Sequence, residues 1–173
     1  MSINMKDRKA DLLDDGNTPV VYTTLSQTGL AIARLLSLPI QTPSNGGPSL
    51  SDYKNNFVYL QSFTITQNQI LAAAQRATKT SAGDWTITYT PAAEHVKEGK
   101  EMLAAGNRLG ALKVFFGTVL TKGLANEHFG RELASPKLGL QDENYEEVVQ
   151  RAFQALQLDN TVLHPAAQTS NDA

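Results

Sequence analysis

The sequence predicts an α/β fold built from short strands and about five helices. Its 173 residues have the size of one domain, and a hydrophobic content of 41% is enough to form a core. Two hydrophobic periods follow each other along the chain. Apolar residues at every second position indicate strands, and apolar residues at every third or fourth position indicate helices.

Charge and cysteine content exclude several classes of function. The chain carries 15 Lys and Arg against 17 Asp and Glu, a net charge of −2 without a long run of either sign. We therefore expect no direct binding to nucleic acid and none to a membrane. The absence of cysteine excludes disulfides, thiolate zinc sites and a cysteine nucleophile. With no apolar run of about 20 residues and no secretory signal, a cytoplasmic protein is expected.

The first 38 residues predict a hairpin followed by a helix. Residues 8–13 and 20–24 are extended segments on either side of the turn residues 14–17, which predicts a β-hairpin. A helical period begins at Leu25 and ends near Leu38, because Pro39 disfavours helical geometry before it. The residues expected on the apolar face of this helix are Leu25, Gly29, Ile32, Ala33 and Leu36.

The middle of the chain predicts a loop, a buried strand and a capped helix. Residues 41–56 are rich in Gly, Pro, Ser and Asn and predict an exposed loop. Residues 57–60 predict a strand buried on both faces. Thr66 and Gln69 have the spacing of a capping box at the start of a helix over about 67–78. The residues available for burial in this helix are Ile70, Leu71 and Ala74.

The second half predicts one clear strand and three helices. Residues 84–90 alternate and predict a strand with Trp85, Ile87 and Tyr89 on one face. Helices are predicted over about 91–105, with Gly106 as the C-terminal cap, over about 107–120, and over 145–156. The apolar positions are Ala93, Val96 and Leu103 in the first helix and Leu112, Phe115, Phe116, Val119 and Leu120 in the second.

The sequence contains no recognisable catalytic, cofactor or metal motif. The dinucleotide fingerprint Gly-x-Gly-x-x-Gly, the nucleophile-elbow serine and a Tyr-x-x-x-Lys pair are all absent. His95 and Glu98 are spaced to share a metal, but a metal site needs a third ligand, so a solvated helix face is favoured. The acidic residues Glu143, Glu146 and Glu147 are interpreted as complementing the dipole of the last helix.

Several short strings, in a fixed order, carry a resemblance to a known family. They lie at residues 5–19, 23–29, 57–64, 67–71, 85–87, 97–99 and 138–140. Together they resemble the C-terminal half of the NmrA-like and isoflavone-reductase-like proteins, an atypical branch of the short-chain dehydrogenases. The resemblance covers about residues 4–157. It departs from the family at residues 27–29, where Gln-Thr-Gly replaces the Asp-Ile-Gly of many members.

The resemblance implies a fold and a domain organisation. In this family the N-terminal half is the Rossmann domain that binds NAD(P), and the C-terminal half shapes the substrate cleft. Residues 1–157 are thus expected to be the substrate-side part of an NAD(P)-binding Rossmann-like protein whose Rossmann half is missing. Residues 158–173 are expected to be a disordered tail. The family's glycine fingerprint and its reductase lysine precede the matched region, so no residue here inherits a catalytic or cofactor-binding role.

The resemblance leaves more than one function open. The first is a partial NAD(P)H-dependent oxidoreductase whose cleft accepts a small apolar or aromatic molecule, inactive alone and binding no NADP(H) by itself. The second is an NmrA-type dinucleotide-sensing regulator that binds a transcription factor, and the third is a non-catalytic fragment. Self-association is expected through surface that the missing half leaves exposed. Since α/β proteins bind ligands at the carboxyl ends of strands, the expected substrate-binding residues are Thr23, Phe63 and Thr64.

Overall fold

The structure, a computed structural model, describes residues 2–123 and 132–163. These residues form five helices and five short strands, which confirms the predicted α/β class. The strands are β1 (Ser2–Asn4), β2 (Lys9–Leu13), β3 (Val20–Tyr22), β4 (Phe63–Ile65) and β5 (Thr86–Thr90). The helices are α1 (Leu25–Leu36), α2 (Gln67–Ala77), α3 (Ala92–Ala104), α4 (Gly110–Val119) and α5 (Tyr145–Leu163). Two 3₁₀ helices, Leu50–Tyr53 and Ala82–Asp84, lie in connecting segments.

The strands form two small sheets. In the first sheet β2 is central, antiparallel to β1 on one edge and parallel to β5 on the other. In the second sheet β3 pairs antiparallel with β4, with Tyr22 opposite Phe63. The hairpin predicted between residues 8–13 and 20–24 is therefore wrong. β3 cannot pair with β2, because β1 and β5 already occupy both edges of β2.

The hairpin that does form lies at the start of the chain and joins β1 to β2. Strand β1 was not predicted, because three residues are too short to show a period. Asn4 builds the turn, because its Oδ1 accepts hydrogen bonds from the amides of Lys6 and Asp7, both at 3.0 Å. Arg8 completes the turn with a φ of 50°, a left-handed conformation that glycine or asparagine usually adopts.

The strand predicted at residues 57–60 is also wrong. These residues have no regular secondary structure, and Phe57 is 82% exposed. Pairing with β3 begins further along, where the Ser62 amide donates to the carbonyl of Tyr22 at 2.9 Å. The loop predicted at 41–56 is confirmed apart from its one 3₁₀ turn, but it is not exposed throughout, because Ser49 is fully buried.

The predicted helices are all present, and the cap of α2 forms as expected. The Gln69 amide donates to the Thr66 hydroxyl at 3.2 Å, and the Thr66 amide donates to Gln69 Oε1 at 2.8 Å. Gly106 adopts a φ of 81° after α3, which fits the predicted C-terminal cap. Helix α5 extends to Leu163, so residues 158–163 of the predicted tail are helical, and residues 164–173 lie outside the described part.

In the part of the chain that the structure describes, the core consists of three buried clusters. Leu12 and Leu13 are both 0% exposed, and as neighbours in a strand they point to opposite faces of the first sheet. Leu12 packs in the first cluster with Ala10, Leu71, Ala74 and Trp85. Leu13 packs in the second with Val20, Ala92 and Leu120. The third cluster joins Ala31 of α1 to Ala134, Leu138 and Leu140.

Helix α1 turns its apolar face outward, contrary to the prediction. Leu25 is 91% exposed, Leu36 69% and Ile32 52%, whereas the buried residues are Gln27 and Ala31. The inner face is held by polar contacts to residues 138–141. Gln27 Nε2 donates to the Gln141 carbonyl at 2.7 Å, and the Arg34 guanidinium donates to the Leu138 carbonyl at 2.8 Å.

Helices α3 and α4 pack through glycines. Gly99 and Gly110 are both buried at the contact, and a Cβ on Gly110 would overlap the carbonyl oxygen of Gly99. Because the glycines form this contact, the predicted burial of Leu112 and Phe115 is wrong and both are exposed. The residues of α4 that pack in the second cluster as predicted are Phe116, Val119 and the following Leu120.

One side chain joins the two sheets. Gln67, the first residue of α2, is fully buried; its Oε1 accepts from the Leu13 amide at 2.9 Å and its Nε2 donates to the Leu13 carbonyl at 3.2 Å. Leu13 ends β2 of the first sheet, and Gln67 follows β4 of the second sheet by two residues. The amide group of Gln67 thus continues the hydrogen bonding of β2 beyond its sheet.

Replacing Gln67 by methionine is expected to destabilise the fold. The apolar side chain leaves the buried Leu13 amide without its acceptor, which costs about 1–3 kcal/mol. Urea denaturation of Gln67→Met and wild type measures the difference. Gln154→Met, the same change on the exposed side of α5, should stay within about 0.5 kcal/mol of wild type. Equal stabilities of all three proteins would show that the hydrogen bonds between Gln67 and Leu13 do not stabilise the fold.

Two glycine-to-alanine changes are expected to have opposite signs. Gly29→Ala lies inside α1 with nothing within 4 Å of the new Cβ, so helix propensity should stabilise the chain by about 0.5–1 kcal/mol. Gly110→Ala should destabilise it by about 1–3 kcal/mol through overpacking against α3. Thermal unfolding followed by circular dichroism measures both. A harmless Gly110→Ala would show that α3 and α4 are not in close contact.

Candidate functional site

The candidate site lies where the end of β3, the start of β4 and the start of α5 meet. Thr23 and Thr24 follow β3, Ser62 precedes β4, and Glu143 lies two residues before α5. Because β3 and β4 are antiparallel, the carboxyl end of β3 lies beside the amino end of β4. We call this place the Glu143 junction, after the side chain that contacts the residues flanking both strands.

Glu143 is the centre of a polar network. Its Oε2 accepts hydrogen bonds from the Ser62 hydroxyl at 2.6 Å and from the Thr24 hydroxyl at 2.7 Å. Its Oε1 lies 3.6 Å from Nη2 of Arg151, one exposed cation on α5. The Glu143 side chain is only 17% exposed, and hydrogen bonds to an ionised carboxylate are among the strong ones.

The same network starts helix α1. The Thr24 hydroxyl accepts from the amide of Gln27 at 3.0 Å, as an N-cap does, while it donates to Glu143. The Thr24 amide donates to the Ser62 hydroxyl at 3.1 Å. The sequence predicts only that Glu143 complements the dipole of α5, and nothing local to it indicates this role. Thr24, just before Leu25, could be recognised in the sequence as a helix cap. Its second partner, Glu143, lies 119 residues further along the chain and could not.

An aromatic cluster lies beside the network. The ring of Phe63 lies 6.3 Å from that of Tyr22 and 6.2 Å from that of Tyr145, in tilted and edge-on geometry, as aromatic pairs prefer. Burial raises the pKa of the Tyr22 phenol above its ordinary value of 10.0, so Tyr22 is neutral at physiological pH. The junction therefore combines the edges and faces of aromatic rings with hydroxyl groups held by hydrogen bonds.

The structure brings together two of the three predicted substrate-binding residues. Thr23 and Phe63 lie at the junction, and the Thr23 hydroxyl donates to the Leu60 carbonyl at 3.1 Å. Thr64 is exposed and, as the neighbour of Phe63 in β4, points to the other face of the pair. The expected geometry also differs, because Phe63 and Thr64 lie inside β4 and do not follow a strand. Their role in binding substrate stays a prediction.

The pair His95 and Glu98 is not arranged as a metal site. His95 is buried, contrary to the predicted solvated face, and burial is the largest cause that lowers the pKa of its imidazole. Glu98 forms an ion pair with Lys113 of α4, and this hydrogen bond lowers the pKa of its carboxyl. Among the residues described, no three potential metal ligands lie close together.

The helices of the described region were compared with the length and hydropathy of membrane-spanning helices. Not one of those within residues 2–123 and 132–163 combines the length and apolar character needed to cross a bilayer.

Comparison with known proteins gives one distant relationship. No protein-family model matches the chain, and no solved structure matches it. The oxidoreductase aprR of Aspergillus flavus is 23% identical over 150 residues, which is 86% of this chain and 46% of the relative. The chain thus spans about half the length of the curated relative it matches. It is a distant relative of an oxidoreductase.

The raised pKa of Tyr22 predicts a loss of stability at alkaline pH. The folded chain holds the phenol proton more tightly than the unfolded chain, so stability is full below about pH 10 and falls as the pH rises above it. Tyr22→Phe should remove this part of the pH dependence, measured by urea denaturation between pH 8 and 11. Tyr89→Phe, at an exposed tyrosine, should leave it unchanged. Identical pH profiles for wild type and Tyr22→Phe would refute the prediction.

Proposed function

We propose that this chain forms the substrate-side part of an NAD(P)H-dependent oxidoreductase of the NmrA-like and isoflavone-reductase-like kind. One observation carries the proposal: the similarity to the oxidoreductase aprR covers 86% of this chain but only 46% of that protein. The other half of the relative has no counterpart in the match. We assign dinucleotide binding to a unit equivalent to that other half, and substrate contact to this chain.

Three helix N-termini in the described region already donate an amide to a side chain of the chain itself, which supports this division. A phosphate binds at a helix N-terminus only if the first amides of the helix are available. At α1 the Thr24 hydroxyl accepts from the Gln27 amide, and at α2 the Thr66 hydroxyl accepts from the Gln69 amide. At α3 the Ala92 amide donates to the carboxylate of Asp14 at 2.9 Å, which would repel a phosphate. All three strand-to-helix junctions in the described region are thus capped by the chain's own side chains.

The outer face of α1 supports docking of a second unit. Leu25, Ile32 and Leu36 are spaced by seven and four residues, lie on one helix face, and are exposed. Exposed apolar faces of this kind are typical of interfaces. We assign this face to contact with the dinucleotide-binding unit. Such a contact would remove the apolar stripe from water and explain why the helical period of α1 does not match its burial in this chain.

The Glu143 junction is the proposed substrate contact. The rings of Tyr22, Phe63 and Tyr145 form a half-buried aromatic cluster suited to an aromatic or otherwise apolar molecule. Thr23 lies at its edge, where its hydroxyl has a remaining lone pair for hydrogen bonding. The Glu143 network fixes the two strands and the start of α5 relative to each other, so it holds the aromatic surface in place. When bound to its own unit, NAD(P)H would supply the hydride.

Association with a dinucleotide-binding unit tests the proposal. We expect the chain alone to bind no NADPH at millimolar concentration in calorimetry. Mixed with the unmatched half of aprR, it should form a complex that binds NADPH and oxidises it with small aromatic carbonyl compounds. The double variant Leu25→Asp and Ile32→Asp should associate at least tenfold more weakly, since charges on an apolar interface are costly to desolvate.

The matched control is Leu112→Asp, which places the same charge on an exposed leucine of α4. It should associate like wild type. Two results would overturn the proposal: micromolar binding of NADPH to the isolated chain, or equal association of the α1 double variant and wild type. A stable NADPH-binding complex without any turnover would instead favour the dinucleotide-sensing regulator.

A further inference from the structure

Strand β5 forms an edge of the first sheet. In the part of the chain that the structure describes, the strand order is β1-β2-β5, so β5 pairs on one side only. Thr86 points its amide towards β2 and donates to the Arg8 carbonyl at 2.9 Å. Because backbone groups alternate in direction along a strand, the amides and carbonyls of Ile87 and Tyr89 point away from β2. We call this outward side of the strand the β5 edge.

The β5 edge is open to solvent on both faces of the sheet. Thr88 is exposed on one face, and Tyr89, which is 58% exposed, lies on the other face because neighbours in a strand point to opposite sides. Proline, charged side chains and bulges usually protect an edge against pairing. Thr86–Thr90 contains neither proline nor a charged residue, and its register with β2 runs residue by residue without a bulge.

The length and composition of β5 also favour pairing with a further strand. Strands β1, β3 and β4 have three residues each, whereas β5 has five. Very short edge strands are a common protection against pairing, and β5 lacks it. All five residues of β5 are threonine, isoleucine or tyrosine, which are types enriched in strands. Among the described residues, β5 is therefore the edge best suited to accept another strand.

The residues around β5 limit how far such pairing extends. Before the strand, the Trp85 amide donates to the Ala82 carbonyl at 3.2 Å and is already used. After the strand, Pro91 has no amide hydrogen. Ile87 and Tyr89 are therefore the two residues of the β5 edge that offer both a donor and an acceptor to a partner.

These limits select one register for a partner of the same sequence. In an antiparallel pair, two residues that face each other through hydrogen bonds exchange both of them. All four outward groups of each copy are satisfied only when Ile87 of one copy faces Tyr89 of the other. Thr88 then lies opposite Thr88 on a two-fold axis, as an isologous contact requires.

The side chains fit the same register. On one face, Ile87 lies beside Tyr89 of the second copy, and β-branched residues pair favourably with aromatic ones across strands. On the other face, Thr88 lies opposite its own counterpart and Thr86 opposite Thr90, and threonine pairs are also favourable. No like charges are brought together, because β5 carries none. The β5 edge is thus complementary to itself in hydrogen bonding, side chains and charge.

We propose that the β5 edge pairs antiparallel with the β5 edge of a second copy of this chain, with Thr88 on the two-fold axis. Four hydrogen bonds then join the copies, and the two three-stranded sheets become one sheet of six strands. A contact of five residues per copy is smaller than the roughly 1,200 Å² of standard interfaces. The dimer is therefore weak, with a Kd of about 100 μM.

The proposed dimer is independent of the proposed function. Ile87 packs against the first core cluster, whereas α1 contributes Ala31 to the third. The apolar stripe of α1 and the Glu143 junction are formed by elements other than β5. Substitutions in α1 should therefore leave self-association unchanged, which keeps the two proposals separable by experiment.

Disulfide cross-linking tests the register directly. The chain has no cysteine, so a single introduced thiol can form a disulfide only with another copy. In a non-hydrogen-bonded antiparallel pair the two Cα atoms lie about 4.5 Å apart, which a disulfide can bridge. Thr88→Cys at 500 μM, oxidised with diamide, should therefore give a cross-linked dimer on a non-reducing gel.

The matched control is Thr86→Cys, which places the thiol at an exposed position on the same face of β5. In the proposed register its counterpart lies four residues away along the strands, or about 14 Å, which is too far for a disulfide. Thr86→Cys should therefore cross-link at least tenfold less than Thr88→Cys under the same conditions.

Tyr89→Pro tests the hydrogen bonds of the β5 edge. The Tyr89 amide points outward, so proline removes no hydrogen bond to β2, and the variant should keep the circular dichroism spectrum of wild type. It removes two of the four bonds between the copies. In sedimentation equilibrium, wild type should be monomeric at 5 μM and mostly dimeric at 1 mM, and Tyr89→Pro should dimerise at least tenfold more weakly.

The Leu25→Asp and Ile32→Asp double variant of α1 is the control for this measurement and should dimerise like wild type. The proposal is overturned if wild type stays monomeric at 1 mM, if Thr86→Cys and Thr88→Cys cross-link equally, or if a folded Tyr89→Pro dimerises like wild type. A loss of dimer in the α1 variant alone would also overturn it. If Tyr89→Pro does not fold, the two cysteine variants decide the question by themselves.

Discussion

The fold depends on the two hydrogen bonds between the Gln67 side chain and the backbone of Leu13. Buried polar groups must be paired, and a primary amide can satisfy a backbone donor and a backbone acceptor together. Gln67 does so at the point where β2 leaves the first sheet and α2 follows the second. The neighbouring Asn68 donates to the carbonyl of Asp15 at 2.9 Å. The turn after β2 is thus attached to the start of α2.

The hydrogen bonds between Gln67 and Leu13 fix the position of β2 relative to α2. With β2 held between β1 and β5, Leu12 and Leu13 organise core clusters on the two faces of the first sheet. The second sheet is held to the start of α5 by Glu143, whose carboxylate accepts hydrogen bonds from hydroxyl groups in the segments that flank β3 and β4. The two small sheets share no strand pairing, and the Gln67 side chain connects them. Gln67 and Glu143 both use polar groups largely removed from bulk water, where an unpaired group is expensive.

The pairing of buried polar groups also bears on function. Helix N-termini whose amides already donate to capping side chains are poor places for a phosphate. An aromatic cluster beside a fixed carboxylate network offers a stable surface to an apolar ligand. The chain is a distant relative of an oxidoreductase about twice its matched length. Its outward-facing apolar helix and the capped starts of its helices are the structural basis of the proposal that this chain contacts substrate and that another unit binds the dinucleotide.

The sequence by itself determined which segments are helical, because periodicity, the Thr66 capping box and the Gly106 cap are local signals that act within one or two turns. It also identified β5. Only the tertiary structure decided which strands pair. Strand β2 has two edges, and which of β1, β3 and β5 occupy them depends on residues far apart in the chain. The tertiary structure likewise decided that Leu25 faces outward and that Glu143 meets Thr24. An apolar period shows that a face can be buried, but the surface that covers it comes from residues far away in the chain.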